Sequence, residues 1–244
     1  MIISQINDSY DIQNVVPFFQ PIMDLSNNHV WRYECLARLL TLGESPFIPT
    51  ELLYLLDRQH CAAQLTQTIF NRSASYFRNI NMPWNINISQ ADMQDPSIHN
   101  FLAAKVQNYP NPQRIALEVT ASNALTNKSA FSEFCTFCQQ LGISLFIDNF
   151  AGQEGDIQTI VDLPVHGIKL AGQLTQRLMA GEGQAHHLIE LLSCHAKEKN
   201  ITLVAQHVED ESAITRIQEL GIGYAQGFYF SEPKAQTLNI NPAG

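Results

Sequence analysis

The chain has 244 residues, 14 Lys and Arg against 23 Asp and Glu, and a formal net charge of −9. Charged residues make up 15% and apolar residues 45%, and the 21 Gln and 18 Asn outnumber all the ionic side chains. That apolar content excludes a disordered chain, the acidic balance excludes bulk nucleic-acid binding, and no apolar run reaches the roughly 18 residues of a membrane span.

The N-terminus, MIISQINDSYDI, lacks the basic and apolar regions of a signal peptide. Five Cys, an odd number, suggest reduced thiols in a cytoplasmic setting.

In chain order, strands are expected at 17–25, 29–39, 84–89, 114–120, 143–149, 165–170, 201–206 and 222–230. Helical spacing fills 50–79, 97–107, 128–141, 154–162, 173–199 and 209–220. The first two strands are joined by the short turn SNNH, and strand and helix alternate after that. Repeated β-α units predict parallel strands with helical crossovers. Eight strands point to an α/β fold, a TIM-like (β/α)8 barrel with an antiparallel first strand; an open doubly wound sheet is the competitor. No Ser/Gly/Pro linker divides the chain, so residues 1–244 read as a single barrel domain.

In such a barrel the chemistry gathers at the C-terminal strand ends. Those ends carry Glu34 and Arg38, Asn87 and Ser89, Glu118 and Thr120, Asp148 and Asn149, Lys169, Gln206 and His207, and Gln226. An ionisable group inside IALEVT or SLFID is costly to bury without a partner or a metal. Three carboxylates (Glu34, Glu118, Asp148), the Asn87 amide and Lys169 on one rim suit a hard dication such as Mg2+. The bland alternative is a satisfied polar layer at the barrel mouth.

With these residues in place, the sequence resembles the EAL family of bacterial cyclic di-GMP phosphodiesterases, from about residue 17 to 233. FFQPIMDL resembles the opening Q-P-I segment, and YECLARL the name motif E-A-L-x-R with Cys35 for Ala. PFIPTELL is similar to an F-I-P loop, NINIS to N-x-S, LEVT to E-x-T and IDNF to D-D-F. GIKL is similar to K-x-D, VAQHVE to A-E-G-V-E and AQGFYFSEP to Q-G-y-x-f-s-x-P. The resemblance implies two metal ions, usually Mg2+ or Mn2+, that activate water at the scissile phosphate. It implies Glu34, Asn87, Glu118 and Asp148 as first-metal ligands, and Lys169, Glu209 and Gln226 as catalytic. Gln20, Arg38 and the loop at Pro49 would hold the nucleotide. It further implies cyclic di-GMP as ligand, with a protein partner as the competing role; relatives often act as homodimers.

The departures fall on charge. Asn149 stands where D-D-F has its second Asp, and Gln206 where A-E-G-V-E has its first Glu. His207 replaces Gly, Ala121 the Glu of E-x-T-E, and Ala171 the Asp of K-x-D. An amide keeps the shape of a carboxylate but accepts no proton from water near neutral pH. The first metal position is therefore expected to survive with reduced affinity, and two-metal hydrolysis to be severely weakened or absent. A nucleotide receptor or protein-binding regulator follows; the alternative is an active metal-dependent phosphodiesterase producing linear pGpG.

Other features read as structural. Cys135 and Cys138 share an apolar helix face rather than a zinc site. His186 and His187 belong to a solvated helix start, His166 to a polar barrel mouth, and Phe18 and Phe19 to the core. His207 retains a minor reading as substitute ligand or base.

Overall fold

A computed structural model describes residues 12–40, 62–152 and 154–235. Eight strands close into a barrel in chain order: β1 (Val15–Asp24), β2 (His29–Leu39), β3 (Trp84–Asn87), β4 (Ile115–Thr120), β5 (Ser144–Phe150), β6 (Gly167–Leu170), β7 (Thr202–Ala205) and β8 (Tyr224–Ala225). β1 runs antiparallel to both neighbours, pairing Gln20 with Glu34 on β2 and Met23 with Ala225 on β8. All other pairs are parallel. Around them lie α1 (Ala62–Phe77), α2 (Gln90–Gln94), α3 (Pro96–Gln107), α4 (Ala121–Thr126), α5 (Lys128–Leu141), α6 (Glu154–Val161), α7 (Gly172–Met179), α8 (Gly183–Glu198) and α9 (Glu211–Glu219). No described helix is long and apolar enough to cross a membrane.

The period of two along each strand sorts the side chains. On β3, Trp84 and Ile86 face outward into the helical shell, whereas Asn85 and Asn87 face the barrel axis. Trp84 is fully buried, edge-on to Phe70 at 5.4 Å, and its Nε1–H donates to the Tyr109 hydroxyl at 3.0 Å. Phe131, Phe134, Cys135 and Cys138 of α5 are buried in the same shell, as the helical spacing predicts. Burial pushes the Cys135 thiol up to about 12, which suits a packing role.

Three of the differences from the sequence expectation have clear local causes. The helix expected over 173–199 is broken into α7 and α8. Gly181 adopts left-handed backbone (φ 79°), and its N–H and that of Glu182 donate back to Leu178 and Arg177 at 3.0 and 3.1 Å. The strand expected over 222–230 shortens to Tyr224–Ala225 because the chain then turns, Phe230 and Ser231 N–H donating back to the Gly227 carbonyl at 3.1 and 3.2 Å. Ser89, expected on a strand end, caps α2 instead: its hydroxyl accepts from Asp92 N–H while the Asp92 carboxylate accepts from Ser89 N–H. The first part of the helix expected over 50–79, and Pro49, lie outside the described residues.

The candidate site at the barrel mouth

The alternation that buries Trp84 outside the barrel sends Glu34, Asn85, Asn87, Glu118, Asp148 and Lys169 inside it. Lys169 is fully buried, and its ammonium donates to Glu34 Oε2 and Glu118 Oε2, each at 2.7 Å. Asp148 Oδ1 lies 3.5 Å from the same nitrogen. Neutral amides take further oxygens. Asn87 Nδ2 donates to Glu34 Oε1 at 3.1 Å, Gln226 Nε2 to Glu34 Oε2 at 2.8 Å, and Asn85 Nδ2 to Glu118 Oε1. Gln206 Nε2 donates to Asp148 Oδ1 at 2.9 Å.

Electrostatics follow from this packing. Burial raises the Glu34 carboxyl, but the Lys169 charge and the bonds from Lys169, Gln226 and Asn87 hold it below the ordinary range. Burial and the adjacent Glu34 charge push Glu118 up to about 8, against the pull of Lys169. Burial opposes the Lys169 charge, yet Glu118, Glu34 and Asp148 together drive its pKa above the usual lysine value.

Below this layer the barrel carries a second cation. β1 and β2 slip register, Ile22 pairing with Arg32 and Met23 with Val30, so Trp31 is the extra residue of a bulge. Arg32 is buried, its guanidinium 4.5 Å from the Trp31 ring centre and 4.8 Å from that of Phe146, with Nε and Nη1 unpaired. Burial lowers it to about 10, with the Glu118 charge opposing.

The structure brings together Glu34, Asn87, Glu118, Asp148, Lys169, Gln226 and Gln20, whose Oε1 accepts from Gln226 Nε2 at 3.2 Å. Arg38 is half-buried at the rim above the Phe18 ring, 6.0 Å to its centre, and donates to the Ala37 carbonyl. Glu209 does not join them: it is exposed after β7, with no hydrogen bond to the cluster among the described residues. Asn149 is exposed in left-handed backbone (φ 56°), a conformation Asn tolerates, at the irregularity between Ile147 and Phe150. His207 shares that conformation (φ 56°), and its ring lies where a side chain at Gly172 would stand.

Two expectations change. Phe18 is half-buried at the rim rather than in the core, because the inverted β1 begins at the mouth; Phe19 alone is core. His166 sits at the opposite end, where its Nδ1 accepts from Leu145 N–H at 3.2 Å. Sequence reasoning missed Asn85, fully buried one layer below the strand end; the N-x-N spacing of β3 was the available signal.

Gln226 is placed by its neighbour. A side chain at Gly227 would run into the Val208 carbonyl oxygen, while Val208 N–H donates to Gln226 O at 3.1 Å. Gly227→Ala is expected to cost about 1–3 kcal/mol of stability by forcing these loops apart. An unchanged urea midpoint would show that the loops yield freely.

The oxygen set is of the kind a hard dication takes. As arranged, it does not fit one: the Lys169 ammonium stands among the three carboxylates. No group of three or more His, Cys, Asp or Glu is placed to hold a metal ion among the described residues.

The EAL domain model matches residues 3–233. The chain is 24% identical over 223 residues to "Cyclic di-GMP phosphodiesterase PdeA" of Borreliella burgdorferi, covering 89% of this chain and 33% of that protein's length. It is also 24% identical to "Cyclic di-GMP phosphodiesterase RocR" of Pseudomonas aeruginosa, covering 88% of this chain and 56% of that protein. Among solved structures, the fold matches "PaMucR Phosphodiesterase, c-di-GMP complex" with a TM-score of 0.86 at 18% identity, covering 96% and 97% of the two chains. With so much of its length matched and an eight-stranded barrel whose first strand is inverted, the chain belongs to the EAL domain family.

Proposed function

We propose that this barrel binds cyclic di-GMP at its mouth and acts as a regulatory receptor, with hydrolysis weak or absent. The observation that carries this reading is the hydrogen bond from Gln206 Nε2 to Asp148 Oδ1. A Glu at 206 would repel Asp148 unless a cation lay between them. Gln206 turns that repulsion into an attraction, so the second-metal side of the site needs no dication to hold its shape. Asn149 on the same side likewise brings no charge. Hydrolysis would require Mg2+ or Mn2+ at Glu34, Asn87, Glu118 and Asp148, and Lys169 would first have to leave their centre.

Binding does not carry that requirement. Gln20, Arg38 and Phe18 line the rim without being metal-ligand candidates, and Arg38 supplies a cation for a phosphate. Pro49 remains the third nucleotide-binding candidate, from sequence alone. Relatives described as cyclic di-GMP phosphodiesterases, and a fold match to "Crystal structure of FimX EAL domain from Pseudomonas aeruginosa bound to c-di-GMP" (TM-score 0.82, 20% identity, 95% of this chain and 94% of that one), support the ligand.

Calorimetric titration of cyclic di-GMP, with product chromatography on the same samples, tests the reading. The expected result is a dissociation constant of about micromolar size, a free energy near −8 kcal/mol, without conversion to linear pGpG in Mg2+ or Mn2+. Absence of binding favours a protein-docking module. Turnover faster than about 1 per second favours the phosphodiesterase.

A further inference from the structure

We propose that the Lys169 ammonium is the resident cation of the barrel mouth, standing where its three carboxylates would otherwise share a dication. The site is then assembled without metal, and divalent ions compete with the protein's own side chain for it. This goes beyond the nucleotide reading: it concerns which cation organises the carboxylates, whatever ligand sits above them.

The geometry makes the argument. An ammonium has three N–H donors; Lys169 directs two of them into Glu34 and Glu118 and stands within ion-pair range of Asp148, so three strands supply its carboxylates. Glu34 of β2 and Glu118 of β4 accept at 2.7 Å, and Asp148 of β5 lies at 3.5 Å. Lys169 is itself fully buried on β6, so its packed surroundings keep the charge in place. Two further oxygens are taken, Glu34 Oε1 by Asn87 and Glu118 Oε1 by Asn85, and Asp148 Oδ1, the oxygen that faces Lys169, also accepts from Gln206. Asn87, the fourth candidate ligand, thus turns its N–H rather than its carbonyl oxygen toward the carboxylates. A dication entering here must expel a buried cation and break these amide bonds, all of which offset its attraction to the carboxylates.

The two cations are therefore exclusive, and removing one should admit the other. The test uses Mn2+ alone, without nucleotide, on the wild-type chain, Lys169→Met and Lys169→Arg. Bound Mn2+ is read by electron paramagnetic resonance, and thermal unfolding is followed in chelator and in Mn2+. Wild type is expected to bind no stoichiometric Mn2+ up to about 1 mM and to melt at the same temperature in both conditions. Lys169→Met should take up one Mn2+ at least about a hundredfold more tightly, and its melting temperature should rise with Mn2+. Lys169→Arg, which keeps a cation, should behave as wild type.

Tight stoichiometric Mn2+ binding by wild type would overturn the proposal, as would Lys169→Met binding no better than wild type. Should Lys169→Met fold only with Mn2+, the proposal stands. Should it not fold at all, Lys169→Gln, whose neutral amide can still donate to the carboxylates while all of them are kept, is read in its place. No gain of Mn2+ affinity there counts against the proposal. Cyclic di-GMP affinity in chelator is measured separately, so failure of the receptor reading leaves a different signature from failure of this one.

Discussion

Restoring both lost carboxylates, Asn149→Asp together with Gln206→Glu, is expected to raise Mn2+-dependent cleavage of cyclic di-GMP by at least about a hundredfold. Gln206→Glu replaces the 2.9 Å hydrogen bond to Asp148 with two facing anions. At about 4 Å and an effective dielectric near 20, such a pair repels by roughly 4 kcal/mol. Asn149→Asp adds a further charge at a backbone position, φ 56°, that Asp tolerates as Asn does. Five carboxylates leave a charge that one ammonium does not offset, so in the double variant a dication should displace the Lys169 ammonium from their centre. Its melting temperature should fall in chelator and recover in Mn2+. Product chromatography decides the point: equal stability in both conditions, with no linear pGpG, would mean that the missing charges are not what silences the site.

The second large effect is on stability. Lys169→Met, unfolded by urea in chelator, is expected to lose about 3–5 kcal/mol relative to wild type, because it strands buried carboxylates without their partner. Glu118→Gln added to it should recover part of that loss, since burial and the adjacent Glu34 charge already push the Glu118 carboxyl up to about 8. A loss below about 1 kcal/mol in the single variant would place the ammonium outside the network that holds the barrel.

The barrel was legible in the sequence because two periodicities alternate along it, and because polar residues interrupt apolar strands at matching positions. Glu34, Asn87, Glu118, Asp148, Lys169 and Gln226 were found this way, and the structure gathers them. The misses have local causes. Asn85 lies one layer beneath the strand ends that the mouth draws on, although β3 repeats Asn at a spacing of two. The apolar run around Phe18 suggests core, but an antiparallel first strand reverses which of its ends reaches the mouth. The break at Gly181 and the short α2 came from capping chemistry, which a long apolar helical repeat hides. Glu209 is a separate case: its motif match puts it on the loop after β7, where it is exposed. What no pattern of residue types announced is how the charges are settled, since that depends on which amide nitrogen meets which oxygen.

The inverted β1 also decides where the chain travels. Val15 pairs with Leu39 at the mouth, so the described chain comes into the barrel on the side that bears the carboxylates. After β8 it climbs back along β1: Gln20 Nε2 donates to the Ser231 carbonyl, and Phe19 and Lys234 exchange two backbone bonds at 2.8 and 3.0 Å. Incoming and outgoing strands thus run side by side beside Gln20 and Gln226. A pull or twist arriving along either flank would reach the Gln226–Glu34 contact through one layer of hydrogen bonds, without crossing the barrel.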